Sequence, residues 1–113
     1  MGYNGPMEKT LESLLRDLKR RVQAVVGTEE AEFVLYGSRA RGDFGRDSDI
    51  DVAVIVPTLS GESKDRILEA VAGVELEHCQ PVSVLVFSKL EFERLLERER
   101  RIALDIRREG VVL

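Results

Sequence analysis

The chain has 113 residues, 43% hydrophobic and 34% charged, which is the size and composition of one compact globular domain. Its formal net charge of -4 and its 5% aromatic share, with no Trp, predict neither general binding along a nucleic-acid backbone nor a base-stacking surface. One cysteine, Cys79, excludes an internal disulfide and is compatible with a reducing, cytoplasmic location. The longest apolar run, residues 52–56, is too short to span a bilayer, so no membrane association is predicted.

The amino-terminal part of the chain predicts an extension followed by a helix. Residues 1–7 are polar and glycine-rich, and we predict a disordered extension there and a single domain over residues 8–113. Leucines and valines recur at three- and four-residue steps from residue 8 to residue 26, which predicts an amphipathic helix. Glu32–Tyr36 is rich in β-forming residues and predicts a strand that Gly37 ends.

The rest of the chain alternates predicted helices and strands. In order, the patterns predict a short helix over 38–41, a turn-rich loop over 42–47, a strand over 49–56, a helix over 62–77, a strand over 82–87, a helix over 90–108 and a short strand over 111–113. Ser88 is the predicted N-cap of the last helix, with Glu91 as its capping-box partner. Glu99 falls on the apolar side of this helix and weakens the prediction of one continuous element. The order predicts an α/β (α+β) fold with helices packed on a sheet.

The turn at Gly37 and Ser38 has the chemistry of an anion site. A helix that begins here presents unpaired N–H groups and a favourable dipole to an anion. Gly37 lets the backbone approach a phosphate without a Cβ in the way, and Ser38 adds a hydroxyl donor. Arg39 and Arg41 bring positive charge to the same neighbourhood. The alternative interpretations are that Ser38 is only an N-cap and that the two arginines are solvated surface charges.

Two carboxylates follow on the next predicted strand. Asp49 and Asp51 are two residues apart, so their side chains leave the same face, with Cα atoms about 6.5 Å apart. Two acids at this spacing repel each other and are costly to desolvate, and a hard cation such as Mg²⁺ relieves both costs. We therefore predict a metal site at Asp49 and Asp51. The alternative, a pair of ordinary edge-strand acids, does not explain their shared face on an apolar strand.

These two features occur together in residues 35–52, where ten residues separate Ser38 from Asp49. The segment resembles the signature of the DNA-polymerase-beta-type nucleotidyltransferase superfamily, and its Gly-Ser-Arg-Ala-Arg-Gly and Ser-Asp-Ile-Asp forms are similar to the minimal nucleotidyltransferases of prokaryotes. The resemblance implies a small mixed β-sheet flanked by helices, and transfer of a nucleoside monophosphate from a triphosphate such as ATP to a hydroxyl group. The implied nucleotide-binding residues are Gly37, Ser38, Arg39 and Arg41, and the implied catalytic ligands of Mg²⁺ are Asp49 and Asp51.

The chain departs from this family at the following strand. Active members usually carry a third carboxylate there, whereas Ser83 stands at the corresponding position and no acid lies between residues 81 and 88. Glu75 and Glu77, at the end of the preceding helix, are an alternative source of a third acid. Two functions therefore stay open: a Mg²⁺-dependent nucleotidyltransferase, and a catalytically weak or inactive nucleotide-binding module that masks a partner protein.

The resemblance also implies a protein partner. Minimal nucleotidyltransferases resemble antitoxins that accompany a helical, toxin-like protein. Because the chain is too short to carry its own acceptor-binding domain, we expect such a partner, or a second copy in a homo-oligomer, to present the acceptor. The charge run over 97–101, with Arg107 and Arg108, is either a solvated helix face or a docking surface. His78 and Cys79 are predicted to be incidental, because the sequence has no other His or Cys to complete a transition-metal site.

Overall fold

The computed structural model describes residues 6–27, 30–41 and 49–113, without the side chains of residues 6–9, 38 and 41. The described residues form a four-stranded sheet in the order β3-β2-β1-β4, with helices on both faces. The elements are α1 (Pro6–Val26), β1 (Glu32–Tyr36), α2 (Ser38–Arg41), β2 (Ile50–Val56), α3 (Gly61–His78), β3 (Val82–Ser88), α4 (Lys89–Glu97), α5 (Arg101–Glu109) and β4 (Val111–Val112). None of the described helices has the length and apolarity needed to cross a membrane.

The predicted start of the domain differs slightly from the observed one. Helix α1 begins at Pro6, two residues before the predicted start, and proline is favoured at a first helical position because its missing N–H has no helical partner there. Residues 1–5 lie outside the described part of the chain. The predicted extension therefore stays a prediction for those residues, and so does the single-domain assignment.

The sheet is mixed. β1 is antiparallel to both β2 and β4, whereas β2 is parallel to β3. Parallel neighbours need a crossover connection, and α3 provides it. β2 lies at the centre of the sheet, and six of its seven residues are buried, which explains why its sequence is almost continuously apolar.

Two hydrophobic cores lie on opposite faces of the sheet. On one face, Ile50 and Val52 pack with residues of α1 and α3. On the other face, Ala53 and Ile55 pack with residues of α4 and α5. Because side chains alternate along a strand, Asp51 shares the α4–α5 face with Ala53, at the end of the sheet where β2 begins.

The last predicted helix is two helices, α4 and α5. Glu99 between them takes a left-handed φ of 52°, and the N–H of Arg100 bonds back to the carbonyl of Leu95 at 2.9 Å. The bend allows Phe92 of α4 and Ile106 of α5, each 1% exposed, to enter the same core. The residue that interrupts the apolar pattern in the sequence is therefore the residue at which the helix breaks.

Capping boxes begin two of the helices. Ser88 accepts a hydrogen bond from the N–H of Glu91, and the Glu91 carboxylate accepts one from the N–H of Ser88, as the sequence predicted. Ser60 and Ser63 form the same reciprocal pair at the start of α3, which the sequence analysis did not predict. Each box satisfies backbone N–H groups that a helix leaves without an internal partner.

An ion-pair cluster joins α1 to α3. The Asp17 carboxylate accepts hydrogen bonds from Arg20 at 2.5 Å and Arg21 at 3.1 Å, and the Nε2 atom of His78 lies 3.1 Å from its second oxygen. Arg21 also pairs with Glu77. Ligand atoms of the two acids and His78 lie within 4.8 Å of one another, but arginines already neutralise both carboxylates. His78, predicted to be incidental, thus contacts another helix.

This cluster predicts an acid-dependent contribution to stability. Burial raises the pKa of Asp17, but hydrogen bonds from His78, Arg20 and Arg21 outweigh that effect and leave the pKa below its usual value. A carboxylate whose pKa is lowered in the folded state stabilises the fold at pH values above its pKa in the unfolded chain, about 3.9. This contribution is lost as the pH falls through the pKa of the carboxylate in the folded state. We expect Asp17→Asn to lower the midpoint of urea unfolding at neutral pH, with a difference from wild type that shrinks as the pH falls below the unfolded pKa of about 3.9.

The control is Asp65→Asn, which removes an exposed acid from α3. Its midpoint should follow that of the wild type at every pH. A constant difference between Asp17→Asn and wild type across the pH range would show that the loss is not electrostatic.

Candidate nucleotide and metal site

The turn between β1 and α2 brings Gly37 against Asp51. Gly37 has a φ of 78°, in the left-handed region that favours glycine. The preceding residue, Tyr36, pairs with Asp51 across the antiparallel strands. A Cβ atom on Gly37 would lie 2.6 Å from the Oδ2 atom of Asp51. Glycine is therefore required both by the backbone conformation and by the room that this carboxylate needs.

The two acids of the predicted metal site lie at the start of β2. Asp49 is exposed and directly precedes the strand, whereas Asp51 is half-buried within it. Ile50, between them, is 2% exposed and fixes the strand in the core. Burial raises the pKa of Asp51, and the negative charge of Asp49 raises it further. A divalent cation would relieve this repulsion, so the carboxylates fit a metal such as Mg²⁺.

Tyr36 is a neighbour of Asp51 that the sequence analysis missed. Burial, and then the charge of Asp51, raise the pKa of Tyr36 to about 12. The phenol therefore keeps its proton at neutral pH and can act as a hydrogen-bond donor. Alternation along β1 places Tyr36 on the same face as Val34, but only the pairing of β1 with β2 sets it opposite Asp51.

Ser83 lies beside Asp51 on the neighbouring strand. The parallel register of β2 and β3 pairs these two residues, and paired residues on adjacent strands face the same side of a sheet. Ser83 is exposed. The register therefore sets a hydroxyl, rather than a third carboxylate, at the position on β3 that is next to Asp51.

Neither alternative third acid belongs to this face. Glu75 and Glu77 lie on α3, whose buried residues pack in the core on the opposite face of the sheet. The Glu75 carboxylate accepts a hydrogen bond from the N–H of Val82 at 3.0 Å, and Glu77 pairs with Arg21. Both carboxylates are thus engaged away from Asp51.

The remaining predicted site residues are only partly described. Ser38 and Arg41 are the first and last residues of α2, but their side chains lie outside the described part of the structure. Arg39, between them, is half-buried. The predicted loop over 42–47, with turn residues Asp43 and Asp47, also lies outside it. The predicted site residues that the structure describes in full are therefore Gly37, Arg39, Asp49 and Asp51, and the strand pairing adds Tyr36 and Ser83.

A mixed sheet with a glycine turn set against Asp51 defines a class of α/β domain, and comparison with known proteins identifies its family. The family described as Nucleotidyltransferase domain matches residues 11–109, and the chain belongs to it. The chain is 27% identical over 79 residues to a Methanocaldococcus jannaschii protein named Putative protein adenylyltransferase MJ0141, a match that covers 67% of this chain and 78% of that protein.

A solved structure shows the same fold. It is described as a putative nucleotidyltransferase from Sulfolobus solfataricus, and it matches with a TM-score of 0.51 and 23% identity over 99% of this chain and 89% of that one. The predicted family and the predicted fold class, a small mixed sheet flanked by helices, are therefore confirmed. Members of this family generally use a divalent metal and a nucleotide substrate.

Proposed function

We propose that this protein is a Mg²⁺-dependent nucleotidyltransferase that binds ATP and transfers its AMP group to a hydroxyl of a partner protein. The observation that carries the proposal is the approach of Gly37 to Asp51, since a Cβ at position 37 would lie only 2.6 Å from the carboxylate. A turn without a side chain thus lies next to Asp51, whose negative charge is repelled by that of Asp49. The name of the M. jannaschii relative supports AMP as the transferred group and a protein as the acceptor.

Each site residue has a role in this proposal. Gly37 and Ser38 hold the triphosphate at the start of α2, where backbone N–H groups are unpaired, and Arg39 and Arg41 neutralise its charge. Asp49 and Asp51 hold Mg²⁺, which when bound lowers the pKa of an attacking hydroxyl and stabilises the charge on the leaving group. The hydroxyl loses its proton to solvent, and its oxygen bonds to the α-phosphorus as the bond from that phosphorus to pyrophosphate breaks.

The acceptor is supplied by another protein. We propose a helical, toxin-like partner in the cytoplasm that this chain modifies as its antitoxin. Residues 97–101, which run from the end of α4 to the start of α5, are exposed and available to such a partner. Arg107 is less so, because its guanidinium pairs with Glu32 at 3.0 Å and lies 4.8 Å from the centre of the Phe92 ring.

The second candidate function is a nucleotide-binding module that masks its partner without modifying it. The observation that favours it is the exposed hydroxyl of Ser83 beside Asp51, in the place where active members carry a third acid. The two functions make different products. With ATP labelled at the α-phosphate, Mg²⁺ and the protein encoded by the adjacent gene, an enzyme leaves label covalently on that protein. A masking module binds ATP and the partner and leaves the partner unlabelled.

A substitution at Asp51 separates metal binding from folding. Because the pKa of Asp51 is raised in the folded state, the folded protein binds more protons at this group than the unfolded chain does. Its stability therefore falls as the pH rises past the pKa that Asp51 has in the unfolded chain. Asp51→Asn removes this cost, so we expect its melting temperature without Mg²⁺ to exceed that of the wild type. Mg²⁺ should raise the melting temperature of the wild type and should not raise that of the variant.

The matched control is again Asp65→Asn, which should keep both the wild-type melting temperature and its response to Mg²⁺. Asp49→Asn should also lose the response. If Asp51→Asn and Asp49→Asn respond to Mg²⁺ as the wild type does, the metal site lies elsewhere.

A further inference from the structure

Strand β3 forms an outer edge of the sheet. The order β3-β2-β1-β4 leaves one side of β3 without a neighbouring strand in the described part of the chain. Its sequence, Val-Ser-Val-Leu-Val-Phe-Ser, contains no charged residue, proline or glycine. Monomeric proteins usually protect a sheet edge with charges, proline, a bulge or a very short strand, and β4 at the opposite edge is only two residues long. The composition of β3 is instead typical of a strand that has a neighbouring strand on each side.

The backbone N–H groups at both ends of this edge are already satisfied within the chain. Glu75 accepts a hydrogen bond from the N–H of the first residue of β3 at 3.0 Å, and Glu91 accepts one from the N–H of the last at 3.2 Å. Residues two apart on a strand direct their N–H and C=O groups to the same side. Val84 and Val86 therefore direct theirs to the outer edge, and they form its open centre.

This open centre is complementary to itself. In an antiparallel pair of β3 strands centred on Leu85, Val84 lies opposite Val86 of a second copy, and opposite residues of this kind exchange both of their N–H···O=C bonds. The open donors and acceptors of both copies are then all used. Leu85 lies opposite Leu85 of the second copy in a non-hydrogen-bonded pair, in which side chains are close. In the single chain Leu85 is 38% exposed, and the pairing would cover this surface.

Helix α3 carries a stripe of exposed apolar residues, and the same helix contacts the first residue of β3 through Glu75. Leu68, Ala72 and Leu76 are four residues apart, so they lie on one side of the helix, and Leu76 is 81% exposed. Leu85, at the centre of β3, is about 10 Å along the strand from its first residue. A distance of about 10 Å along α3 corresponds to about seven residues, and about seven residues before the end of α3 is close to Ala72. The two-fold axis that relates the paired β3 strands at Leu85 would therefore pass near Ala72, whose side chain is small. Leu68 would then lie against Leu76 of the second copy.

The charge of Lys64, near the amino end of α3, fits the same antiparallel arrangement. Lys64 lies near the amino end of the helix, where the dipole of its own helix disfavours a cation. It is one turn before Leu68, so in the pair it lies at the carboxyl end of α3 in the second copy. That end is favourable for a cation, because the dipole of a helix is negative at its carboxyl end.

We propose that two copies of this chain form a symmetric dimer through β3 and α3, in which the two sheets become one continuous sheet. The pair is isologous, because each copy contributes the same surface. In this register Phe87 of the second copy lies opposite Ser83, so the interface borders the candidate nucleotide and metal site. The proposal does not depend on catalysis, and its test measures mass and cross-linking only.

Sedimentation equilibrium of the wild type at high micromolar concentration should give twice the chain mass of 12.7 kDa. Leu76→Lys and Leu85→Lys should each give the monomer mass, with an unchanged circular dichroism spectrum, because both side chains are exposed. The matched control is Val112→Lys, an equally drastic change of a 67% exposed residue at the opposite edge, which should stay dimeric. A monomeric wild type, or a dimer that survives both lysine substitutions, overturns the proposal.

Cross-linking tests the register in a Cys79→Ser background. Leu85→Cys should form an intermolecular disulfide under mild oxidation, because its counterpart lies about 4.5 Å away between Cα atoms. Ser83→Cys should not, because the two copies of residue 83 are about four residues apart along the paired strands, roughly 13 Å. Cross-linking of Ser83→Cys in preference to Leu85→Cys, or of neither variant, contradicts pairing through β3.

Discussion

Replacing Gly37 with alanine is expected to lower the affinity for ATP·Mg²⁺ roughly 10- to 100-fold, the range seen when residues that orient metal ligands are changed. The added Cβ would lie 2.6 Å from the Oδ2 atom of Asp51. That oxygen is the end of a flexible side chain, so the carboxylate can rotate away and the fold survives. The rotation moves Asp51 from its place beside Asp49 and brings a methyl group to the proposed phosphate turn. Calorimetric titration with ATP and Mg²⁺ measures the loss.

The chain offers a matched control at Gly27. This glycine also has a left-handed φ, 70° against 78° for Gly37, but an added Cβ there meets nothing within 4 Å. Both alanine variants should therefore lose about 1 kcal/mol of stability from backbone strain. Only Gly37→Ala should lose ATP affinity. Equal affinities in the two variants would mean that the nucleotide binds away from this turn.

The local elements of the site could be predicted because their signals are short-range. Gly37 ends β1 and starts a turn, so the bounds of β1 and α2 agree with the prediction. The spacing of Asp49 and Asp51 on an apolar strand predicts their shared face without knowledge of the rest of the fold. The closeness of Gly37 to Asp51 could be anticipated only through the family resemblance, because it depends on how β1 pairs with β2.

The features that the sequence did not reveal arise from non-local packing. Tyr36 lies opposite Asp51 through the register of two strands, and no local pattern encodes that register. His78 contacts Asp17 across 61 positions of sequence, so its role in joining α1 to α3 is invisible until those helices are packed. The bend at Glu99 follows from the need to bury residues of both α4 and α5 in one core.

The candidate site contains groups that lower the stability of the fold, and a bound cation would relieve part of that cost. Gly37 takes a conformation that few other residues adopt, and the pKa of Asp51 is raised by burial first and by the negative charge of Asp49 second, which disfavours its ionised form in the folded protein. Functional sites commonly hold such unfavourable groups, which the surrounding fold compensates. The buried residues on either side of Asp51 provide that compensation here, since Ile50 and Val52 are almost completely buried.

Ser83→Asp is expected to tighten Mg²⁺ binding and to raise the rate of AMP transfer to the partner protein. Ser83 pairs with Asp51 in the sheet, so the new carboxylate would join the other two acids on one face. Without metal, a third negative charge should raise the pKa of Asp51 further and lower the melting temperature at neutral pH. Mg²⁺ should then produce a larger rise in melting temperature than in the wild type, because it relieves a larger repulsion.

The control that isolates charge from shape is Ser83→Asn, which has nearly the same size and cannot ionise. It should change neither the response to Mg²⁺ nor the transfer rate. If Ser83→Asp and Ser83→Asn behave alike, Ser83 does not face the metal site. If the wild type alone transfers AMP as fast as Ser83→Asp does, the third carboxylate is dispensable in this chain, and the masking function loses the observation that favours it. If only Ser83→Asp transfers, the wild-type protein acts by binding, and the serine is the reason.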